Sequence, residues 1–367
     1  MSDITIAIAA GRTGGHLFPA LAVAESLMKL DKNLKLYVIG TADGIESRIA
    51  PGSGYEFHSI NAIPLRRSMS IRNLAIPFVL AVGTWQSYML LRKKKTSAVL
   101  ATGGFLCVPV LIAALLTKVK VFMQEQNSYP GLTTRLFARR ADTVFAAYSV
   151  VKDYLHPDSN IVRAGNPLRP GFDLGDVDDA VRHFGLDRDK KTLFIFGGSQ
   201  GAEAINRYIA DNLDRLKDKT DLQLIWQTGR TTYDEFRNRF EESGMPGVAI
   251  PFIERMDLAY ACADLVISRA GAMTLAELAA AGKPAILVPY PFAAESHQEF
   301  NARSVENEGA AILVKQANLA EADMIGMALN LIENDLTLKR MAESSRKLHS
   351  PGASETIAQI ILSETGK

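Results

Sequence analysis

Residues 11–20, "GRTGGHLFPA", follow the apolar run Ile4–Ala9 and set three glycines around one histidine, with a proline close behind. Gly11, Gly14 and Gly15 suit a sharp turn where the backbone approaches something closely. Pro19 is tolerated in the first turn of a helix, and "LAVAESLMKL" then runs apolar at helical spacing. The stretch reads as strand, glycine loop and helix N-terminus, with His16 at the mouth. Unsatisfied N–H groups and the positive end of the helix dipole suit that mouth to an anion or polar ligand. Taken alone, such a turn serves tight packing as readily as binding.

Working outward, strands and helices alternate. "KLYVIG", "AVLATGG", "KVFMQE" and "DTVFAAY" are short apolar strands between helical patterns, the signature of a parallel sheet covered by helices. The polar stretch "NPLRPGFDLGDVDD", residues 166–179, interrupts this. The alternation then restarts with "TLFIFGGSQG", "LQLIWQTG", "VAIPFI", "LVISRAG" and "AILVPY". The expected fold is α/β, two tandem Rossmann-like domains facing a ligand cleft. Residues 1–165 form the first, 166–345 the second, and 346–367 a C-terminal helix packing back on the first.

The chain of 367 residues is 47% apolar and 22% charged, with net charge +1, an ordinary globular composition with no basic excess for nucleic acid. Two cysteines in apolar surroundings, Cys107 and Cys262, argue against a disulfide framework and fit a reducing cytoplasm. No basic-then-apolar leader precedes the first strand, so no secretory signal is expected. Residues 66–95, "RRSMSIRNLAIPFVLAVGTWQSYMLLRKKK", are apolar over nearly a membrane thickness and flanked by basic residues. Asn73, Pro77, Gly83 and Gln86 weaken a spanning reading. A buried helix pair is one alternative. An interfacial segment suits the flanks better, with Ile76, Phe78, Val79 and Trp85 as apolar contacts. Arg66, Arg67, Arg72 and Lys93–Lys95 would face anionic lipid.

The second glycine loop, "FGGSQGAEAINRYI", lets the amides of Gly197, Gly198 and Gly201 crowd a phosphate, with Ser199 and Gln200 adding donors. Neither half carries an acidic residue at the tip of its second strand, which demotes a dehydrogenase, and no GxxxxGK[ST] loop is present. In "SRAGAMTLAELAAAGKPAILVPYPFAAESHQEFNA", residues 268–302, Thr274 and Glu277 lie one helical turn apart. A carboxylate there can accept hydrogen bonds from two vicinal hydroxyls, as a ribose offers. Gln298 and Asn301 again share a face. The bland alternative makes Glu277 and Gln298 solvated surface residues.

Taken in order, "GRTGGHLFPALAVAESL", "GTADGIESRIAP", "ATGGFLCVPV", "QEQNSYPGLTTRLFARRAD", "GNPLR", "FGGSQGA", "PFI" and "GAMTLAELAAAGKPAILVPYP…HQEFNA" resemble the MurG glycosyltransferase family over nearly the whole chain. The resemblance implies the GT-B fold and a UDP-N-acetylglucosamine donor. It implies an undecaprenyl-linked muramyl-pentapeptide acceptor, inversion at the anomeric carbon, and peripheral attachment to the cytoplasmic face of the inner membrane. Other cell-wall synthesis proteins are candidate partners. Thr13, Gly14 and Gly15 match the first loop, whereas Arg12 replaces a usual glycine and would be strained if that position needs positive φ.

The acceptor hydroxyl must lose a proton as it attacks. His16, as a histidine, is of a residue type suited to the base, or binds without moving protons; Glu125 is the rival base. Asn127 is a sugar contact by the resemblance. Ser199, the loop amides and Arg169 could stabilise the leaving diphosphate, so no metal and no cofactor is expected. Asp176–Asp178 reads as solvated surface rather than a metal triplet. The resemblance further places Ile253 at the uracil through its backbone and Ala272, Met273 and Thr274 near the donor. It puts Glu277 on the ribose and Gln298 on the sugar hydroxyls. His297 is a weaker candidate beside Gln298. Two alternatives are a non-hydrolysing UDP-N-acetylglucosamine 2-epimerase, which needs no membrane segment, and a non-catalytic membrane scaffold, which would have lost donor residues.

Overall fold

A computed structural model describes residues 4–63, 75–168, 172, 174–198 and 200–366. The chain divides into two units, Met1–Pro170 with Ser350–Lys367, and Gly171–His349. The first holds strands β1 (Thr5–Ala9), β2 (Lys35–Gly40), β3 (Glu56–Ser59), β4 (Ala98–Ala101), β5 (Lys120–Glu125), β6 (Thr143–Ala146) and β7 (Ile161–Arg163). They form one sheet in the order β3-β2-β1-β4-β5-β6-β7, with every neighbouring pair parallel. Helices cover both faces, so β1, β4 and β6 are buried throughout and read as continuous apolar runs rather than alternating ones. The edge strands "EFHS" and "IVR" are short and partly exposed, which is why sequence patterning misses them.

Strand order reverses at β1, which pairs with β2 on one side and β4 on the other. The loops leaving β1 and β4 at their carboxyl ends therefore diverge to opposite faces and open a crevice there. The β1 loop leads into helix Gly14–Leu30. Pro19 lies inside this helix at its sixth position, not in the first turn as the sequence suggested, because Gly14 already has helical geometry. A proline there removes the N–H that would reach the Gly15 carbonyl. Helix Ala353–Thr365 packs on the same helix, burying Ile357, Ala358 and Ile361 with Ile6, Ile8 and Leu27.

Helix Ile76–Lys93 packs against helix Cys107–Thr117. Gly83 faces the Asn61 carbonyl so closely that an added Cβ would lie 2.2 Å from it, and Ser87 and Leu91 are buried. The opposite face exposes Phe78 (74%), Trp85 (63%) and Met89 (51%). Among the described residues, no helix is long and apolar enough to cross a membrane. Lys93 and Lys95 are exposed, while Lys94 is tied to Glu56 at 2.5 Å. Ile76 and Val79 are half-buried. Arg66, Arg67, Arg72 and Asn73 lie outside the described residues.

The second unit repeats the plan with β8 (Lys191–Phe196), β9 (Leu222–Gln227), β10 (Gly247–Ile250), β11 (Leu265–Ser268), β12 (Ala285–Leu287) and β13 (Ala311–Leu313). Their order is β10-β9-β8-β11-β12-β13, again all parallel. The reversal here falls between β9 and β11, on either side of β8. Trp226 is fully buried, and its Nε1–H donates to Asn206 Oδ1 at 3.1 Å, so the largest core side chain keeps its polar atom satisfied.

Candidate active site

In the first unit, the glycines around His16 form a slot for its ring. A Cβ on Gly11 would lie 2.9 Å from His16 Cδ2 and 3.0 Å from the Gly103 carbonyl oxygen. A Cβ on Gly103 would lie 3.1 Å from His16 Cε1, and Gly103 has φ +101°, a conformation open mainly to glycine. The β1 and β4 loops thus hold the imidazole between two bare backbones. Cys107 braces the slot from below, its thiol donating to the carbonyls of Gly103 (3.0 Å) and Ala9 (3.3 Å). Burial pushes that thiol up to about 12, so it stays a protonated donor at neutral pH. His16 is the third residue of its helix, behind the exposed Thr13 and Gly15 and the half-buried Gly14. Its Nδ1 lies 3.1 Å from Gln126 Oε1.

Glu125 is buried at the end of β5, and its carboxylate is fully engaged. Oε1 accepts from the backbone and side-chain nitrogens of Asn127 (both 3.1 Å). Oε2 accepts from the Gly131 amide (3.0 Å) and the Thr134 hydroxyl (2.5 Å). A carboxylate so occupied folds the loop 126–131 around itself and orients Asn127.

In the second unit, helix Ala272–Ala281 starts just beyond β11, with Gly271 as its N-cap and no side-chain cap. The amides of Ala272, Met273 and Thr274 therefore open its first turn toward the carboxyl edge of the sheet. One turn further, Glu277 is only 8% exposed, and its Oε2 accepts from the Tyr260 hydroxyl at 3.0 Å. Glu277 is a buried, hydrogen-bonded carboxylate rather than a solvated helix residue. Gln298 Oε1 accepts from the Tyr290 amide at 2.9 Å. The turn ahead of Gln298 holds Glu295 (φ +51°) and Ser296 (φ +56°) in left-handed geometry, strain of the kind that collects at functional sites. Asn301, which shares the Gln298 face, is buried, and its Nδ2 donates to the Ala270 carbonyl at 3.3 Å.

The glycine loop after β8 is tied to the same edge. Gln227 Nε2 donates to the Gly198 carbonyl at 2.8 Å, and Gln227 Oε1 accepts from the Ile253 amide at 3.0 Å. That bond engages the Ile253 N–H. Gly201 has φ +78°, and a Cβ there would lie 2.3 Å from the Thr228 carbonyl oxygen. Ser199 and Arg169 lie outside the described residues. Asp176 is the N-cap of helix Val177–Phe184, accepting from the amides of Asp178 and Asp179, and Asp178 pairs with Arg188. No cluster of three or more metal-ligating side chains occurs among the described residues.

Residues 6–146 match the glycosyltransferase family 28 N-terminal domain, and residues 192–357 match the C-terminal domain of the same family. The chain is 38% identical over 359 residues to a protein of Halothermothrix orenii, covering 96% of each. It is 39% identical over 357 residues to one of Salinibacter ruber, covering 97% of this chain and 96% of that one. Both relatives are named UDP-N-acetylglucosamine--N-acetylmuramyl-(pentapeptide) pyrophosphoryl-undecaprenol N-acetylglucosamine transferase. The crystal structure of Acinetobacter baumannii MurG superimposes with a TM-score of 0.82 at 28% identity, covering 99% of this chain and all of that one. The chain belongs to the MurG family of glycosyltransferases. A UDP-N-acetylglucosamine 2-epimerase shares the fold with a TM-score of 0.67 at 16% identity, a likeness of architecture alone.

Within this family framework, Arg12 is not strained, because it is absent from the residues of positive φ. Its guanidinium turns outward to Asp43 Oδ2 at 2.7 Å. Several residues that hold the site escaped the sequence reading. Tyr260 anchors Glu277, and Gln227 ties two loops together. Arg269 is buried, and burial pulls its guanidinium below the usual range. It donates to the carbonyls of Val288 and Pro289 (3.1 Å each) and to Gln316 Oε1 (2.6 Å), fixing the loop that offers the Tyr290 amide to Gln298. Arg269 stood inside a quoted motif, but nothing local distinguishes a brace from a ligand contact.

The slot makes a direct prediction. Gly103→Ala should lower the free energy of unfolding by about 1–3 kcal/mol through its φ alone. It should also displace the His16 ring, read as a changed His16 Cε1–H chemical shift. An unchanged shift in a folded variant would mean the slot does not fix the ring.

Proposed function

We propose that this chain moves N-acetylglucosamine from UDP-N-acetylglucosamine to the muramyl O4 of undecaprenyl-diphospho-N-acetylmuramyl-pentapeptide, the lipid I to lipid II step of peptidoglycan synthesis, with inversion. The observation that carries this reading is full-length similarity to relatives bearing that name, joined to a buried carboxylate, Glu277, held by Tyr260 in the unit assigned to the donor. The donor is assigned to the second unit. Glu277 accepts hydrogen bonds from the ribose hydroxyls, the Ile253 carbonyl meets the uracil, and the Gln298 side-chain amide donates to the sugar. The amides of Ala272, Met273 and Thr274 and the Gly197–Gly201 loop stabilise charge developing on the departing diphosphate. Ser199 and Arg169 join them by the family resemblance.

The acceptor and the base are assigned to the first unit, with Thr13, Gly14, Gly15 and Asn127 as substrate contacts. An oxygen lone pair of the acceptor hydroxyl attacks the anomeric carbon, and the bond from that carbon to the β-phosphate oxygen breaks. UDP leaves with the electron pair, and His16 takes the hydroxyl proton. Glu125 is set aside as base because four donors already engage its oxygens. No metal or cofactor takes part in this scheme.

A polyprenyl tail leaves a bilayer at a cost of about 0.8 kcal/mol per exposed methylene, so the enzyme must come to the lipid. The exposed stripe Phe78–Trp85–Met89, with Lys93 and Lys95 beyond it, supports peripheral binding to anionic lipid at the cytoplasmic face.

A radiolabelled-donor assay with and without lipid-linked muramyl-pentapeptide tests the reading, with product expected only when acceptor is present. In that assay His16→Ala should lower kcat by about 10²–10⁴-fold with little change in donor KM. Glu277→Ala should instead weaken donor binding by about 1.5–3 kcal/mol, measured by calorimetry on the folded variant. Sugar transfer without acceptor, or donor epimerisation, would sink the proposal.

Replacing both Phe78 and Trp85 by serine should reduce co-sedimentation with anionic vesicles and activity on vesicle-borne acceptor, leaving donor affinity unchanged. Wild-type co-sedimentation by this variant would remove the stripe from membrane binding.

A further inference from the structure

The hydrogen bonds around His16 determine more than the place of its ring. Gln126 is buried, and its Nε2 lies 2.8 Å from the Thr102 carbonyl oxygen and 3.1 Å from the Gln124 carbonyl oxygen. It also meets Gln124 Oε1. Main-chain carbonyls can only accept, so the NH₂ of Gln126 must face them. Rotating the amide by half a turn would set its oxygen against two carbonyls. The side-chain oxygen of Gln126 is therefore the atom that faces His16 Nδ1 at 3.1 Å. An amide oxygen has no proton to give, so Nδ1 must carry one, and the lone pair of the neutral ring resides on Nε2.

The amide that imposes this is itself held. Gln124, also buried, donates from Nε2 to Asn166 Oδ1 at 3.1 Å, and Asn166 Nδ2 returns a bond to the Gln126 carbonyl at 3.0 Å. The chain Asn166–Gln124–Gln126–His16 joins the ends of β5 and β7 to the β1 loop. It contains no carboxylate. A charged partner at Nδ1 would stabilise imidazolium and raise its pKa, whereas an amide sets the tautomer without adding a charge. The ring lies against the bare backbones of Gly11 and Gly103, where an added Cβ would come within 2.9 Å and 3.1 Å of its carbons.

We infer that Gln126 is a positioning residue that holds His16 in the Nδ1–H form and so presents Nε2 as the proton acceptor. This deepens the proposed function and rests on it for the use made of Nε2; the tautomer itself is independent of any activity.

Long-range proton–nitrogen correlation spectra of the ¹⁵N-labelled full-length protein above the imidazole pKa distinguish the two tautomers. The His16 signals are identified by their loss in His16→Ala. The wild type should show Nδ1–H. Gln126→Met, which removes the acceptor, should lose that form and lower kcat by about 10-fold or more with donor KM little changed. An Nε2–H signature in the wild type, or Nδ1–H persisting in Gln126→Met, would overturn the inference. The wild-type spectrum decides the tautomer even where Gln126→Met fails to fold. If the tautomer responds as expected while Gln126→Met keeps full kcat, the positioning stands and the base role of His16 is what falls.

Discussion

Parallel strands cannot be joined by tight turns, and that restriction governs where chemistry can occur in both units. Every connection must climb back through a helix, so every strand delivers its chain into a loop at the same edge of the sheet. Where the strand order reverses, at β1 and again at β8, neighbouring loops part to opposite faces and leave backbone amides exposed between them. His16 and the Gly103 turn occupy that position in the first unit. The Gly197–Gly201 loop and the start of helix Ala272–Ala281 occupy it in the second. The two units share a plan because the same topological rule acts twice.

Near those strand ends, polar side chains are held by protein partners. Glu277 is fixed by Tyr260, Gln298 by the Tyr290 amide, and His16 by Gln126. Each bond restrains a rotamer in the absence of substrate, so less ordering remains to be done when a ligand arrives. Glu125 shows the other extreme. Its oxygens take four hydrogen bonds from its own loop, so it serves as a scaffold for Asn127. Burial makes these arrangements stringent, because a buried polar group left without a partner costs about 1–3 kcal/mol.

The fold was largely legible in the amino-acid sequence because its physical cause is local. Strands buried on both faces must be continuously apolar, and the runs "TIAIA", "AVLA" and "TLFIF" announce themselves. The strand–glycine–helix junctions recur at both switch points with equal clarity. What stayed hidden were the edges β3, β7 and β13, whose three or four residues carry too little burial to leave a pattern. Helix Ile76–Lys93 was ambiguous for a related reason. Apolar content alone cannot tell a face pressed on helix Cys107–Thr117 from a face left to the surroundings, and this helix has both.

By itself, then, the sequence determined the alternation of strands, glycine loops and helices and the residue types that follow the strands' carboxyl ends, because spacing and residue type encode both. Only tertiary structure decided what each side chain is bonded to. Gln126 and His16 are 110 positions apart, Gln124 and Asn166 are 42 apart, and Tyr260 reaches Glu277 across 17. None of those pairings follows from a local rule, since a glutamine amide or tyrosine hydroxyl bonds whichever partner the packing of separate strands brings within 3 Å. The same holds for the glycines at Gly11 and Gly103. Their need for a missing Cβ exists only once the β1 and β4 loops close on one imidazole.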